Sequence, residues 1–108
     1  PENTQRDIYR LSKENNLAYE LVLAIYKIES DNKTPIDNIE AEIANLVYLR
    51  DYWAQQNYSD EIVFDLMLLS RHRGIEGSII FMEENLNFYE IDQYILEVTE
   101  YKYYLNQI

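Results

Sequence analysis

Apolar residues along the chain recur at steps of three and four positions, which is the spacing of an amphipathic helix. The densest such segment is residues 19–30, YELVLAIYKIES, an apolar pattern that ends in Glu29 and Ser30. No segment has the sustained alternation of a half-buried strand. The sequence therefore predicts an all-α fold of about six helices, over residues 4–15, 18–30, 35–56, 59–71, 75–85 and 89–107.

Turn and capping residues set the predicted boundaries of these helices. Thr34 followed by Pro35 favours a helix start, Ser59 favours a cap before the fourth helix, and Gly74 favours its end. Only two glycines and two prolines occur in 108 residues, which leaves little scope for hairpins. On this pattern residues 1–108 form a single domain, long enough to bury a core.

Charge and composition narrow the range of partners. The net charge of −11 repels nucleic acid and anionic membrane surfaces, so we expect no nucleic-acid partner. The chain has no cysteine and one histidine, His72, so neither a zinc site nor another metal site is expected. No apolar run reaches the eighteen residues that a membrane-spanning helix needs, and no such segment is expected.

Four motifs then occur in a particular order. An apolar helix over residues 23–30 ends in Glu-Ser, and residues 37–43, DNIEAEI, open a long helix with Asn-Ile. Residues 68–74, LLSRHRG, end another apolar helix in a glycine-bearing loop, and the last helix carries YILEV at residues 94–98 followed by Tyr101. In order and spacing these motifs resemble the lytic transglycosylase family, goose-lysozyme-like domains that act on peptidoglycan.

The resemblance implies a lysozyme-like fold and a set of site residues. Glu29 matches the family's catalytic glutamate, which serves as acid and then as base while the glycosidic bond is cleaved. The resemblance implies no cofactor, places the protein outside the cytoplasm, at the cell envelope or secreted, and makes peptidoglycan or an envelope protein its partner. The positions implied in substrate binding are Ser30, Arg71, His72, Gly74 and Tyr94.

Two departures from the family pattern weaken the case for catalysis. The family has a longer segment with a Gly-Leu-Met-Gln motif after Glu-Ser, whereas here residues 31–37 are too few to build that β-lobe and its groove wall. The family's Ala-Tyr-Asn-x-Gly loop reads SRHRG at residues 70–74, so Arg71 replaces the tyrosine and His72 the asparagine. An Arg71 guanidinium close to Glu29 would form an ion pair that works against proton donation.

These departures favour a degenerate, non-catalytic lysozyme-like domain that binds or scaffolds at the cell envelope. Two alternatives stay open: an active lytic transglycosylase that uses Glu29, and an intracellular helical protein-interaction module. We further expect His72 on the surface and the basic residues 71–73 to pair with the chain's own carboxylates. Tyr103 and Tyr104 cannot both face the core, because adjacent positions on a helix point in different directions.

Overall fold

The structure is a computed structural model that describes residues 2–84 and 92–107, and of residue 2 only the backbone. These residues form helices joined by short connections, with no strand among them, which confirms the predicted all-α class for this part of the chain. No helix within it is both long and apolar enough to cross a membrane. The helices are α1 (Glu2–Glu14), α2 (Tyr19–Asp31), α3 (Ile39–Ala54), α4 (Asp60–Glu84) and α5 (Gln93–Gln107).

Gly74 breaks the helical backbone inside α4, at the position where the sequence predicts the end of a helix. Its φ of 78° and ψ of 163° are not helical, and a positive φ is readily adopted by glycine but strained for other residues. The helix resumes at once, and the Ser78 hydroxyl donates a hydrogen bond of 2.7 Å to the Gly74 carbonyl oxygen. The fourth and fifth predicted helices therefore correspond to two helical stretches of α4 that meet at the kink, and the described residues form five helical segments in all. Residue 85, the predicted end of the fifth, lies outside the described residues.

The predicted start of α3 at Thr34 and Pro35 is wrong, because another residue caps that helix. Asn38 lies directly before α3, and its Oδ1 accepts a hydrogen bond of 3.0 Å from the Ala41 N–H. Its carbonyl oxygen accepts the N–H of Glu42, also at 3.0 Å. An asparagine side chain that accepts an N–H of the first turn is a favourable helix cap. Thr34 is unavailable for this role because it takes part in the end of α2.

The caps of α4 and α5 are also resolved. Ser59 lies before α4 as predicted, and its Oγ accepts the Ile62 N–H at 3.4 Å. Asp92 lies before α5, and its Oδ1 accepts the Ile95 N–H at 3.0 Å. The sequence placed the start of this last helix at residue 89, which lies with residues 90 and 91 outside the described part of the chain.

The chain divides into two compact units, and both contain buried apolar residues. The first consists of Pro1–Ala44 and Glu97–Ile108, and in it the rings of Tyr9 on α1 and Tyr19 on α2 meet edge to face with centroids 5.3 Å apart. Its buried apolar residues are Ile8, Leu17, Leu21, Val22, Ala24, Ile25, Ile28, Ile43 and Val98.

The second unit is Asn45–Leu96. The Trp53 indole N–H donates a hydrogen bond of 3.0 Å to the buried Ser70 hydroxyl, which in turn donates to the Leu66 carbonyl oxygen at 2.7 Å. The polar end of the indole is thus satisfied inside the unit. The buried apolar residues here are Leu46, Leu49, Trp53, Val63, Leu66, Met67, Leu68, Leu69, Tyr94 and Ile95.

Candidate functional site

Helix α2 ends in a hydrogen-bonded motif that includes both Glu29 and Ser30. Lys33 adopts the left-handed conformation, with a φ of 66°, and its N–H donates to the Ser30 carbonyl oxygen at 3.2 Å. The N–H of Thr34 reaches one residue further back and donates to the Glu29 carbonyl oxygen at 2.9 Å. This pair of bonds is the Schellman motif, which satisfies carbonyl groups that a helix end otherwise leaves open. The backbones of the predicted catalytic residue and its neighbour therefore serve as acceptors in a helix cap.

The carboxylate of Glu29 is bound into the same motif. Its Oε1 accepts a hydrogen bond of 2.7 Å from the Thr34 hydroxyl. Ile25 and Ile28 are buried beside it in the sequence, but the Glu29 side chain is half-buried and directed to Thr34. A general acid of the lysozyme type lies in a hydrophobic pocket. Glu29 instead accepts a hydrogen bond from the residue that closes its own helix, as a carboxylate that stabilises a helix end does.

Ser30 lines a hollow of about 300 Å³ in the first unit. Tyr26 and Tyr101 contribute aromatic walls, and Lys27 and Asp31 form an ion pair at this hollow with Nζ and Oδ1 2.9 Å apart. The hydrogen bond and the charge of Asp31 raise the pKa of Lys27 above its usual value. Glu29 does not line this hollow, and the remaining lining residues are Thr4, Gln5, Leu23 and Leu105.

A second hollow, of about 360 Å³, shares Tyr101 with the first. Its other lining residues are Ile28, Glu97, Glu100 and Tyr104. Tyr104 is 58% exposed and its neighbour Tyr103 is 67% exposed, which confirms the prediction that this pair does not enter the core. Because Tyr101 lines both hollows, it and Tyr104 place aromatic rings of α5 at two concave surfaces of the first unit.

Three of the predicted binding residues come together in the second unit. The His72 ring stacks on the Tyr94 ring, with centroids 4.9 Å apart and an angle of 10° between the planes. The Arg71 guanidinium carbon lies 6.0 Å from the same tyrosine centroid, within the range of a cation–π contact. His72 is exposed, as predicted, while Tyr94 is buried. Tyr94 therefore acts as a buried platform for two basic side chains beside the kink at Gly74.

Arg73, the third basic residue before the kink in α4, pairs with a carboxylate of the chain itself. Its Nε donates to Asp92 Oδ2 at 3.1 Å, and its guanidinium carbon lies 4.1 Å from the centroid of the Phe81 ring. The Asp92 side chain is 2% exposed and also caps α5 through its other oxygen. For Arg73 the predicted pairing with an internal carboxylate is confirmed.

The predicted site residues thus belong to two groups. Glu29 and Ser30 lie in the first unit, and the other predicted positions lie in the second: Arg71, His72, Gly74 and Tyr94. The ion pair expected between Glu29 and Arg71 stays a prediction, as do the catalytic and substrate-binding roles of these residues.

The sequence reasoning missed Asp65, a half-buried carboxyl on α4. Burial raises its pKa from 3.8 to about 6, and the negative charge of Glu61 contributes in the same direction. The signal available in the sequence was a pair of acids four residues apart, which places both on one face of a helix. Within residues 2–84 and 92–107 no group of three or more histidine, cysteine or acidic side chains is arranged to hold a metal ion.

Comparisons with protein-family models, with curated proteins and with solved structures give no match to this chain. The resemblance to lytic transglycosylases therefore rests on the order and spacing of the sequence motifs alone.

Proposed function

We propose that the chain is a binding module with a lysozyme-like helical fold that lacks the β-lobe, a degenerate relative of lytic transglycosylases. On this proposal it acts outside the cytoplasm, at the cell envelope, and binds peptidoglycan or an envelope protein without cleaving glycan strands. The kinked helix α4 would correspond to two helices of the ancestral domain, which accounts for the expected count of six.

The observation that carries the proposal is the position of Glu29 in the cap of α2. Its carbonyl oxygen accepts the Thr34 N–H at 2.9 Å and its carboxylate accepts the Thr34 hydroxyl at 2.7 Å. Cleavage of a glycosidic bond needs a carboxylic acid that is directed at the leaving oxygen and free to give up a proton. A glutamate whose carboxylate accepts a hydrogen bond from a hydroxyl at the end of its own helix is better suited to stabilising that helix end than to transferring a proton.

The connection between α2 and α3 supports the same conclusion. It consists of residues 32–38, and four of these already serve the two helix ends: Asn32, Lys33 and Thr34 in the cap of α2, and Asn38 in the cap of α3. The few residues left between them cannot form a lobe that would hold a glycan strand against Glu29. Binding does not require such a lobe, because the hollows lined by Tyr101 are formed by residues of the helices.

The proposal is tested by adding the purified chain to a suspension of cell walls and following turbidity. We expect the wild-type chain and the Glu29→Gln variant to give the same trace as buffer. A fall in turbidity with the wild-type chain that Glu29→Gln abolishes would establish the enzymatic alternative instead.

A further inference from the structure

One face of α5 combines acidic and aromatic side chains around a single hollow. Glu97, Glu100, Tyr101 and Tyr104 follow the spacing i, i+3, i+4 and i+7, so they lie along one side of the helix. They line the hollow of about 360 Å³ together with Ile28 of α2, which is 7% exposed and contributes an apolar base. We call these five residues the tyrosine–glutamate face.

The aromatic rings of this face are accessible from outside the protein. Tyr104 is 58% exposed, and its ring centroid lies 5.7 Å from that of the half-buried Tyr101, with the planes inclined by 51°. Large aromatic side chains are enriched at the centre of protein interfaces, where they contribute much contact area for little loss of conformational entropy. The two inclined rings offer a flat group an aromatic surface at the mouth of the hollow.

The charges of the face favour a cationic occupant. Glu97 and Glu100 are exposed and one helical turn apart, and the chain as a whole has a net charge of −11. Lys27, the cation at the adjoining hollow, is engaged by Asp31 at 2.9 Å. A planar guanidinium both pairs with carboxylates and stacks on aromatic rings, so arginine fits this combination better than a neutral or anionic group does.

We propose that the tyrosine–glutamate face binds an arginine-bearing basic segment of a partner protein. The arginine lies over the rings of Tyr101 and Tyr104, and the guanidinium donates hydrogen bonds to Glu97 or Glu100. The inference rests on the proposed binding function and names the chemistry of the partner. A glycan strand could also stack on the tyrosines and donate hydroxyl hydrogen bonds to the carboxylates, but its sugar rings carry no positive charge. A basic segment gains in addition from the charge of both carboxylates and from the field of the whole chain.

The test uses a fluorescently labelled hexapeptide of alternating glycine and arginine, with binding measured by anisotropy against the intact chain. We expect the double variant Glu97→Gln/Glu100→Gln to weaken binding about tenfold, since it removes charge-assisted hydrogen bonds. Tyr104→Leu should weaken binding about threefold, because it keeps an apolar side chain but removes the ring, whereas Tyr104→Phe should bind as the wild type does. Raising the salt concentration from about 20 mM to about 300 mM should weaken binding of the wild-type chain.

Matched controls distinguish binding at the tyrosine–glutamate face from attraction by the net negative charge of the whole chain. Glu76→Gln/Glu83→Gln removes the same charge from exposed positions on α4, and Tyr48→Leu removes a tyrosine that is 61% exposed on α3. Both controls should bind the peptide nearly as the wild type does. Equal losses for the two glutamine pairs would mean that only net charge attracts the peptide, and this result would overturn the proposal.

A second probe distinguishes a protein partner from a glycan. Chitotetraose is added in the same assay as a competitor and as a direct ligand in calorimetry. No binding of the sugar supports the proposal, while sugar binding that Tyr104→Leu abolishes, without binding of the arginine peptide, overturns it. Glycan cleavage by the wild-type chain would refute the proposed non-catalytic function and leave the peptide result unaffected, so the two proposals fail separately.

Discussion

Glu29 brings two hydrogen-bond acceptors to the end of α2, its carbonyl oxygen and its Oε1, and Thr34 donates to both. The arrangement depends on Lys33, whose positive φ turns the chain back on the helix. A residue that the family resemblance assigns to catalysis thus has a structural role in a helix cap. The role is also independent of any ligand, which makes it accessible to stability measurements.

Replacing Thr34 with valine should lower the free energy of unfolding by about 1 kcal/mol, because the isosteric side chain cannot donate to Glu29. Thr34→Ser keeps the hydroxyl and should stay within about 0.5 kcal/mol of the wild type. Urea titration followed by circular dichroism measures both variants. Equal stability of Thr34→Val and the wild type would show that the hydroxyl contributes nothing to the helix end.

At the scale of the elements, periodicity alone predicted most of the helices but not their termini. The apolar spacing located α1, α2 and the start of α4 to within a few residues, because these helices bury a stripe and their caps lie next to it. The start of α3 was wrong because Thr34 can cap a following helix or close the preceding one. Only its three-dimensional partners, the carbonyl and carboxylate of Glu29, decide between these two uses.

The hollows and the clusters of basic residues were less predictable, since they depend on which residues of distant helices meet. The sequence indicated that Tyr103 and Tyr104 would be exposed. It did not indicate that Tyr101 would lie between two hollows, or that Ser30 would line one of them while Glu29 would not. Likewise, the pairing of Arg73 with Asp92 spans nineteen positions, which no local pattern encodes.

Asp92 joins two elements of the second unit, since one oxygen caps α5 and the other accepts from Arg73. We expect Asp92→Ala to lower the free energy of unfolding by about 2 kcal/mol, about half from the lost cap and half from the ion pair, whose arginine is partly exposed. Asp92→Asn keeps a capping oxygen and should lose about 1 kcal/mol.

Asp51→Ala is the matched control for the loss at Asp92. Asp51 is exposed and pairs with its sequence neighbour Arg50, so its removal should change stability by less than about 0.5 kcal/mol. Chemical denaturation at pH 7 compares the three variants. A loss for Asp92→Ala no larger than that for Asp51→Ala would contradict the joint role of Asp92.

At the scale of the whole molecule, the excess of carboxylates disfavours anionic partners and influences how stability responds to pH. The net charge of −11 favours cationic partners and makes each additional buried carboxylate unfavourable. Asp65 shows this cost directly, because its pKa is raised to about 6 by burial and by the nearby Glu61. The native chain therefore binds a proton at Asp65 more tightly than the unfolded chain does.

The stability that Asp65 contributes should be fully present below pH 4 and lost as the pH rises through about 6. A rise of about two units in the pKa of Asp65 corresponds to about 3 kcal/mol of folding stability. Solvent screening at this half-buried position reduces the expected effect to about 1 kcal/mol. Asp65→Asn should therefore be about 1 kcal/mol more stable than the wild type at pH 7.5, with a difference that shrinks towards pH 4. Denaturation at a series of pH values measures this difference, and a gap that does not change with pH would contradict it.

The central claim is that Glu29 supports a helix end and that the chain binds without cleaving. It is tested most directly by incubating the wild-type chain with purified peptidoglycan at near-stoichiometric amounts and analysing the soluble fraction by mass spectrometry. The account predicts no glycan fragments beyond those released by the Glu29→Gln variant. Fragments that appear with the wild-type chain and disappear with Glu29→Gln would contradict it.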